Sequence, residues 1–226
     1  MTLQNRVLPD SRIVALANYR GMLMGNRGCL HDDQQQLVRQ TSAVKRWILC
    51  VTEFKGRRRT PMTPGLYSEL FFLDEATGLA AGHRPCFECR RTDAQRFKAA
   101  WIAGNPQFGL PADCSIDQLD RHLHADRRSV ASESQLTASD LGELPSGVIV
   151  ADETGDSFYL HKDQRLHRWT ETGYQPAEQA QPSQRWRVVT PSTTVNAIRS
   201  GYGPTIHPSI DRVSELPLSS TADAIV

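Results

Sequence analysis

The sequence predicts an α+β protein: a small antiparallel hairpin with attached helices, followed by a β-rich C-terminal part. Short runs of β-branched, aromatic and aliphatic residues bounded by turn residues recur at 47–51, 67–73, 148–150, 157–160 and 166–169. Helix-start signals stand at Asp74, Thr92 and Ser115. Hydrophobic residues make up 39% and charged residues 23% of the 226, enough for a real core and too polar for a membrane protein.

In chain order, the first element is a strand near 20–24, before the turn Gly25-Asn26-Arg27-Gly28. The run 47–51 then leads into the basic turn Lys55-Gly56-Arg57-Arg58-Arg59. A strand at 67–73 returns from Pro64-Gly65, giving a hairpin with a long cationic tip. Asp74 caps a short helix through Ala81, with Gly82 as the left-handed residue that ends it. Thr92 and Gln95 have capping-box spacing for a second helix, on which Ala94, Phe97 and Trp101 share a face before Gly104 and Pro106 stop it. Ser115 and Gln118 repeat the device, with Ile116, Leu119 and Leu123 at helical spacing through about Arg128. The remainder reads as strands at 148–150, 157–160, 166–169 and 185–190, then a short helix from Pro191 ended by Gly201.

Lys and Arg number 26 against 25 Asp and Glu, so any polyanion must be met by a local patch rather than by bulk charge. Residues 1–20 lack the apolar run of a signal peptide and no segment reaches membrane-spanning length, which sets a cytoplasmic expectation and no membrane partner. Five cysteines in such a chain point to metal ligation or burial more than to disulfides.

Cys86-Phe87-Glu88-Cys89 is a C-x-x-C, a spacing that lets two thiolates from one turn reach the same tetrahedral ion, for which zinc is the expected cofactor. The remaining ligands must come from Cys29, His31, Cys50, His83 or Cys114. The stretch from Phe72 through Ala80-Ala81-Gly82-His83-Arg84-Pro85-Cys86 to Cys89 resembles the metal-binding domain of the Ada DNA-alkylation repair proteins. Its A-A-G-[FY]-R-P-C-x-x-C segment has His83 here in place of the aromatic residue, and Trp47-Ile48-Leu49-Cys50 is similar to the strand ending in the family's first zinc cysteine. The resemblance covers 47–91 and implies that Cys50, Cys86 and Cys89 are ligands. Phe54 occupies the place of the family's second cysteine, so Cys29 is the expected fourth ligand and His31 the alternate. No Pro-Cys-His-Arg segment and no helix-turn-helix pair follows, which excludes the whole repair protein as a model. Residues 1–128 are thus expected to be a zinc-binding α+β domain with its Ada-like module at 47–103, its hairpin and helices linked by zinc. A polar loop or linker at 129–146, a small β-rich module at 147–208 and a flexible tail at 209–226 follow.

The resemblance makes Cys50 the candidate alkyl acceptor, although thiolate-rich zinc sites are mostly structural. Lys55, Arg57, Arg58 and Arg59, with Arg84, Arg90 and Arg91 beside the proposed zinc, form the candidate phosphate-binding face for DNA or RNA. Asp117, Asp120 and His124 share one helical face and are a second candidate catalytic set, for metal-dependent hydrolysis, against the alternative of an ordinary solvated face. Trp169, Tyr174, Trp186 and Tyr202 are expected to be core rather than a base-stacking surface. The leading expectation is a zinc protein that contacts nucleic acid in DNA repair or processing. The alternatives are a hydrolase using Asp117, Asp120 and His124, or a structural zinc adaptor for a protein partner.

Overall fold

The computed structural model describes residues 2–58, 60–128, 136–178, 180 and 183–213. It contains both helices and sheets. The first sheet is mixed and has six short strands, β1 (Arg6–Val7), β2 (Ile13–Val14), β3 (Leu23–Asn26), β4 (Ile48–Val51), β5 (Leu70–Phe72) and β6 (Arg84–Pro85). Their order is β2-β1-β5-β3-β4-β6. This overturns the expected hairpin of 47–51 with 67–73, because β3 lies between β4 and β5 and pairs antiparallel with both. Residues 52–69 are far too many for a tight hairpin loop, which leaves strand order to longer-range packing. At Gly25 of β3 a Cβ would meet the Ile48 carbonyl oxygen at 2.2 Å, so the close approach of β3 and β4 requires glycine there.

Between β5 and β6 lies α1 (Glu75–Ala80), capped as the sequence predicts: the Asp74 carboxylate accepts from the Thr77 N–H, and Gly82 follows at φ 80°. Helix α2 (Arg91–Gly104) starts one residue ahead of Thr92, and its N-cap Arg90 makes no side-chain cap, so the expected Thr92–Gln95 box is not what begins it. Gln118 in α3 (Ile116–Arg128) accepts from the Ser115 N–H at 2.8 Å, as its spacing predicts.

The second sheet is antiparallel: β7 (Ile149–Asp152), β8 (Phe158–Lys162), β9 (Arg165–Thr170), β10 (Gly173–Glu178) and β11 (Trp186–Val188), in the order β10-β9-β8-β7-β11. Strand β10 carries no signal in the sequence: its register shifts between Tyr174 and Ala177 around Pro176, a residue that argues against a regular strand. The expected linker holds, in its described part, a bridge between Leu136 and Trp186 and the helical turn α4 (Ala138–Leu141). Residues 129–135 lie outside the described residues. Helix α5 (Ser192–Arg199) packs on α2, and α6 (Ser209–Val213), with Ser209 and Ile210 buried, packs on β10. The expected flexible tail is therefore corrected at its start, since 209–213 is helix held by burial; 214–226 lie outside the described residues.

One apolar core joins Leu79, Phe97, Trp101, Leu119 and Leu123 to Val148, Tyr159, Trp186, Val195 and Tyr202, so packing crosses the boundary drawn at 129–146. Trp169, Tyr174, Trp186 and Tyr202 are all buried, as expected of core aromatics. Among the described residues, no helix is long and apolar enough to cross a membrane.

Candidate metal centre

The parallel pairing of β4 with β6 builds the site. Ile48 lies opposite Arg84 and Leu49 opposite Pro85, and the Cys86 N–H donates to the Leu49 carbonyl at 2.9 Å. This register carries Cys50 alongside Cys86. The chain then turns through Phe87 and Glu88, and the Arg90 N–H donates to the Cys86 carbonyl at 3.0 Å just before α2, which brings Cys89 back over the same spot. The sulfurs of Cys50, Cys86 and Cys89 all lie within 4.8 Å of one another. Two of the three cysteines are half-buried and Cys86 is buried.

Three thiolates this close repel one another, so the three sulfurs do not ionise alike. A hydrogen bond from Cys50 holds Cys86 down to about 5, helped by the backbone N–H groups of Cys89 and Glu88. Cys50 is pushed far up, first by that same bond and then by burial, and burial raises Cys89. One sulfur is therefore the preferred anion while the others keep their protons. Full deprotonation needs a cation among them.

The donor set fits a thiophilic divalent ion. Tetrahedral bonds of about 2.3 Å place sulfurs about 3.8 Å apart, compatible with the observed cluster after small adjustment. The Glu88 N–H donates to Cys86 Sγ at 3.4 Å and the Val51 N–H faces Cys89, the outer contacts that support metal thiolates.

Cys29 and His31, expected as fourth ligands, do not join the cluster. The chain leaves β3 at the Asn26–Ile48 end of the ladder, whereas Cys50 sits toward the Leu23–Val51 end. Cys29 is exposed, with its sulfur toward the His31 carbonyl at 3.5 Å. His31 is buried, with Nδ1 2.6 Å from Ser68 Oγ and Nε2 3.1 Å from the Thr63 carbonyl, so both ring nitrogens are engaged. All five cysteines and seven histidines fall within the described residues, and none supplies a fourth donor there. His83, in its turn between α1 and β6, is buried between Trp47 and Phe72, with ring centroids 5.1 and 4.7 Å away.

The candidate phosphate-binding residues divide sharply. Arg84 is buried in a two-pronged ion pair with Asp120, at 2.8 and 2.6 Å, and Arg90 is buried against Glu75 and Asp93 at 2.9 and 2.8 Å. Both are withdrawn from any nucleic-acid face, because their charges serve internal carboxylates. Lys55, Arg57, Arg58 and Arg91 are exposed. Lys55 and Gly56 both have positive φ, and the Arg57 N–H closes the turn on the Phe54 carbonyl at 3.0 Å. Arg57 reaches Glu88, inside the C-x-x-C, at 2.7 Å and feels Cys89. Arg59 lies outside the described residues.

Asp117, Asp120 and His124 do not converge either. Asp117 pairs with Arg46 at 3.0 Å and Asp120 with Arg84, while burial and then Arg127, Arg128 and Lys45 lower the His124 pKa. Among the described residues these three do not form a group that could hold a metal ion, and both carboxylates are engaged by arginines.

No family model, no curated protein and no solved structure matches this chain.

Proposed function

We propose that this is a zinc protein in which Cys50, Cys86 and Cys89 fix the cationic turn at 54–58 for contact with the phosphate backbone of nucleic acid. The observation that carries it is the approach of three sulfurs, from a strand and from a turn more than thirty residues later, to within 4.8 Å. Zinc suits a thiolate set that must keep one oxidation state, and its bond lengths suit this spacing. The ion would clamp β4, and with it the loop bearing Lys55, Arg57 and Arg58, to the turn before Arg91. Lys55, Arg58 and Arg91 are exposed in the segments that follow Cys50 and Cys89, with Arg57 held by Glu88, and guanidinium groups favour phosphate oxygens. The Ada-like segment supports the reading, and so does His83, which packs as an aromatic ring where that family has one.

A second reading is favoured by the lack of a fourth side-chain donor among the described residues and by the partial exposure of Cys50. In it, the Cys50 sulfur accepts an alkyl group from a phosphotriester: the S–C bond forms as the C–O bond breaks, and the phosphodiester leaves as the anion.

Elemental analysis of the purified protein should give one zinc per chain. Cys50→Ser and Cys86→Ser should lose it and Cys29→Ser should keep it; retention by both of the first two would remove the metal centre. Binding to a mixed-sequence duplex should weaken steeply with salt, with a shallower slope in Arg58→Ala/Arg91→Ala. Absence of binding at low salt would remove the nucleic-acid reading. A mass gain of one methyl group on Cys50 after incubation with a methyl phosphotriester oligonucleotide would select the second.

A further inference from the structure

A cleft of about 740 Å³ opens between the two sheets, within the size range of small-ligand sites. Trp47, Val188 and Val195 give it apolar walls, and Arg127, Arg187 and Arg199 give it charge. Two carboxylates also line it, and both have other duties. Asp10 pairs with Arg12 at 2.5 Å, while Asp126 accepts from Ser192 Oγ, the Thr193 N–H and Thr193 Oγ1 at the start of α5.

The guanidinium groups are less well served: Asp120 and Asp126 act on Arg127 only from beyond ion-pair distance, and Arg199 reaches just the Asn196 amide oxygen at 3.4 Å. Arg127 donates to the carbonyls of Gly82 and Lys45, at 2.8 and 2.7 Å, and its Nε is buried without a partner. Arg27 is fully buried and donates through its side chain to Ser11, itself in the cleft wall, and its Nε is likewise unpartnered. Both guanidinium groups lie against the indole of Trp47, at 4.5 Å for Arg27 and 4.4 Å for Arg127. Neither has a carboxylate within ion-pair distance among the described residues, and the same holds for Arg187 and Arg199. Burial, then repulsion from Arg127, pulls Arg27 down to about 9, and burial pulls Arg127 down to about 10. Buried charge is normally balanced by an opposite charge. An aromatic ring offsets only part of that cost.

We propose that this cleft binds a small organic oxyanion, a phosphate ester or a carboxylate, with its apolar body on Trp47 and Val188 and its charge facing Arg127, Arg187 and Arg199. The site is separate from the cysteine cluster, and its test does not require the metal.

Isothermal titration calorimetry on the full chain with phenyl phosphate, benzoate and phenol compares two anions with a neutral ring of similar shape. At least one anion should bind at least tenfold tighter than phenol; phenyl phosphate alone identifies a phosphate site and benzoate alone a carboxylate site. Arg187→Gln/Arg199→Gln, at exposed positions, should weaken that binding at least tenfold. Arg168→Gln, an exposed change on β9, should leave it unchanged. Arg127→Gln should abolish binding, and if that variant does not fold the double variant carries the test. Failure of both anions to bind, equal binding of phenol, or unchanged binding in Arg187→Gln/Arg199→Gln would overturn the proposal.

Discussion

His83 shows how one side chain serves as a ring rather than as a ligand or acid. Burial lowers its pKa well below the usual value, and the guanidinium groups of Arg27 and Arg127 add to the shift. Below about pH 6.5 the unfolded chain takes up a proton that folded His83 refuses, so folding stability falls with falling pH. The limiting slope is about 1.4 kcal/mol per pH unit for one such group. His83→Phe should keep the packing between Trp47 and Phe72 and make the urea midpoint less sensitive between pH 6.5 and 5; an unchanged pH dependence would contradict this. His161 and His167, also shifted down by burial, should leave a residual dependence in that variant. Cys86 and Cys89 were legible because a C-x-x-C turn is local, whereas Cys50 was one of several candidate donors in the residues themselves and was marked out only by the resemblance of its strand to the Ada segment. The expected fourth ligand, Cys29 with His31 as the alternate, does not reach the cluster, because the position of both depends on which way the chain leaves β3.

At the scale of elements, the Arg84–Asp120 pair ties α3 to the strand immediately before Cys86. Both side chains are almost wholly buried, at 4% and 2% exposure, so removing one leaves the other charged and unpaired. Asp120→Ala should therefore cost about 3–5 kcal/mol in urea unfolding. A loss within about 0.5 kcal/mol, the range of an ordinary surface change, would show that the pair is not what holds this contact. The helices were largely legible in the sequence because their caps and periodicity are local, as Asp74, Gly82 and Gln118 demonstrate. Strand order was not, since β3 enters between β4 and β5 through pairings that no turn residue announces. The acidic face of α3 misled for a related reason: spacing put Asp117, Asp120 and His124 on one side, while the partners that engage the two carboxylates, Arg46 and Arg84, come from other parts of the chain.

Across the whole molecule, the core that joins α2 and α3 to the second sheet and α5 predicts one cooperative unfolding transition. Trp47 reports on the first sheet and Trp169 on the second, so midpoints measured in Trp47→Phe and Trp169→Phe by fluorescence and by far-ultraviolet circular dichroism should coincide within each variant. Separate transitions would instead mean that the halves fold apart. The two acids at the start of α1 strengthen this expectation. Asp74 receives the Tyr174 hydroxyl at 2.8 Å and the His207 N–H at 3.0 Å, and Glu75 receives Tyr202 and the Thr205 N–H. These partners are synthesised some hundred residues or more after the acids they satisfy. On the ribosome, then, Asp74 and Glu75 emerge with only Thr77 and Arg90 close behind to serve them, and their remaining acceptor sites stay with water until the C-terminal donors have been made.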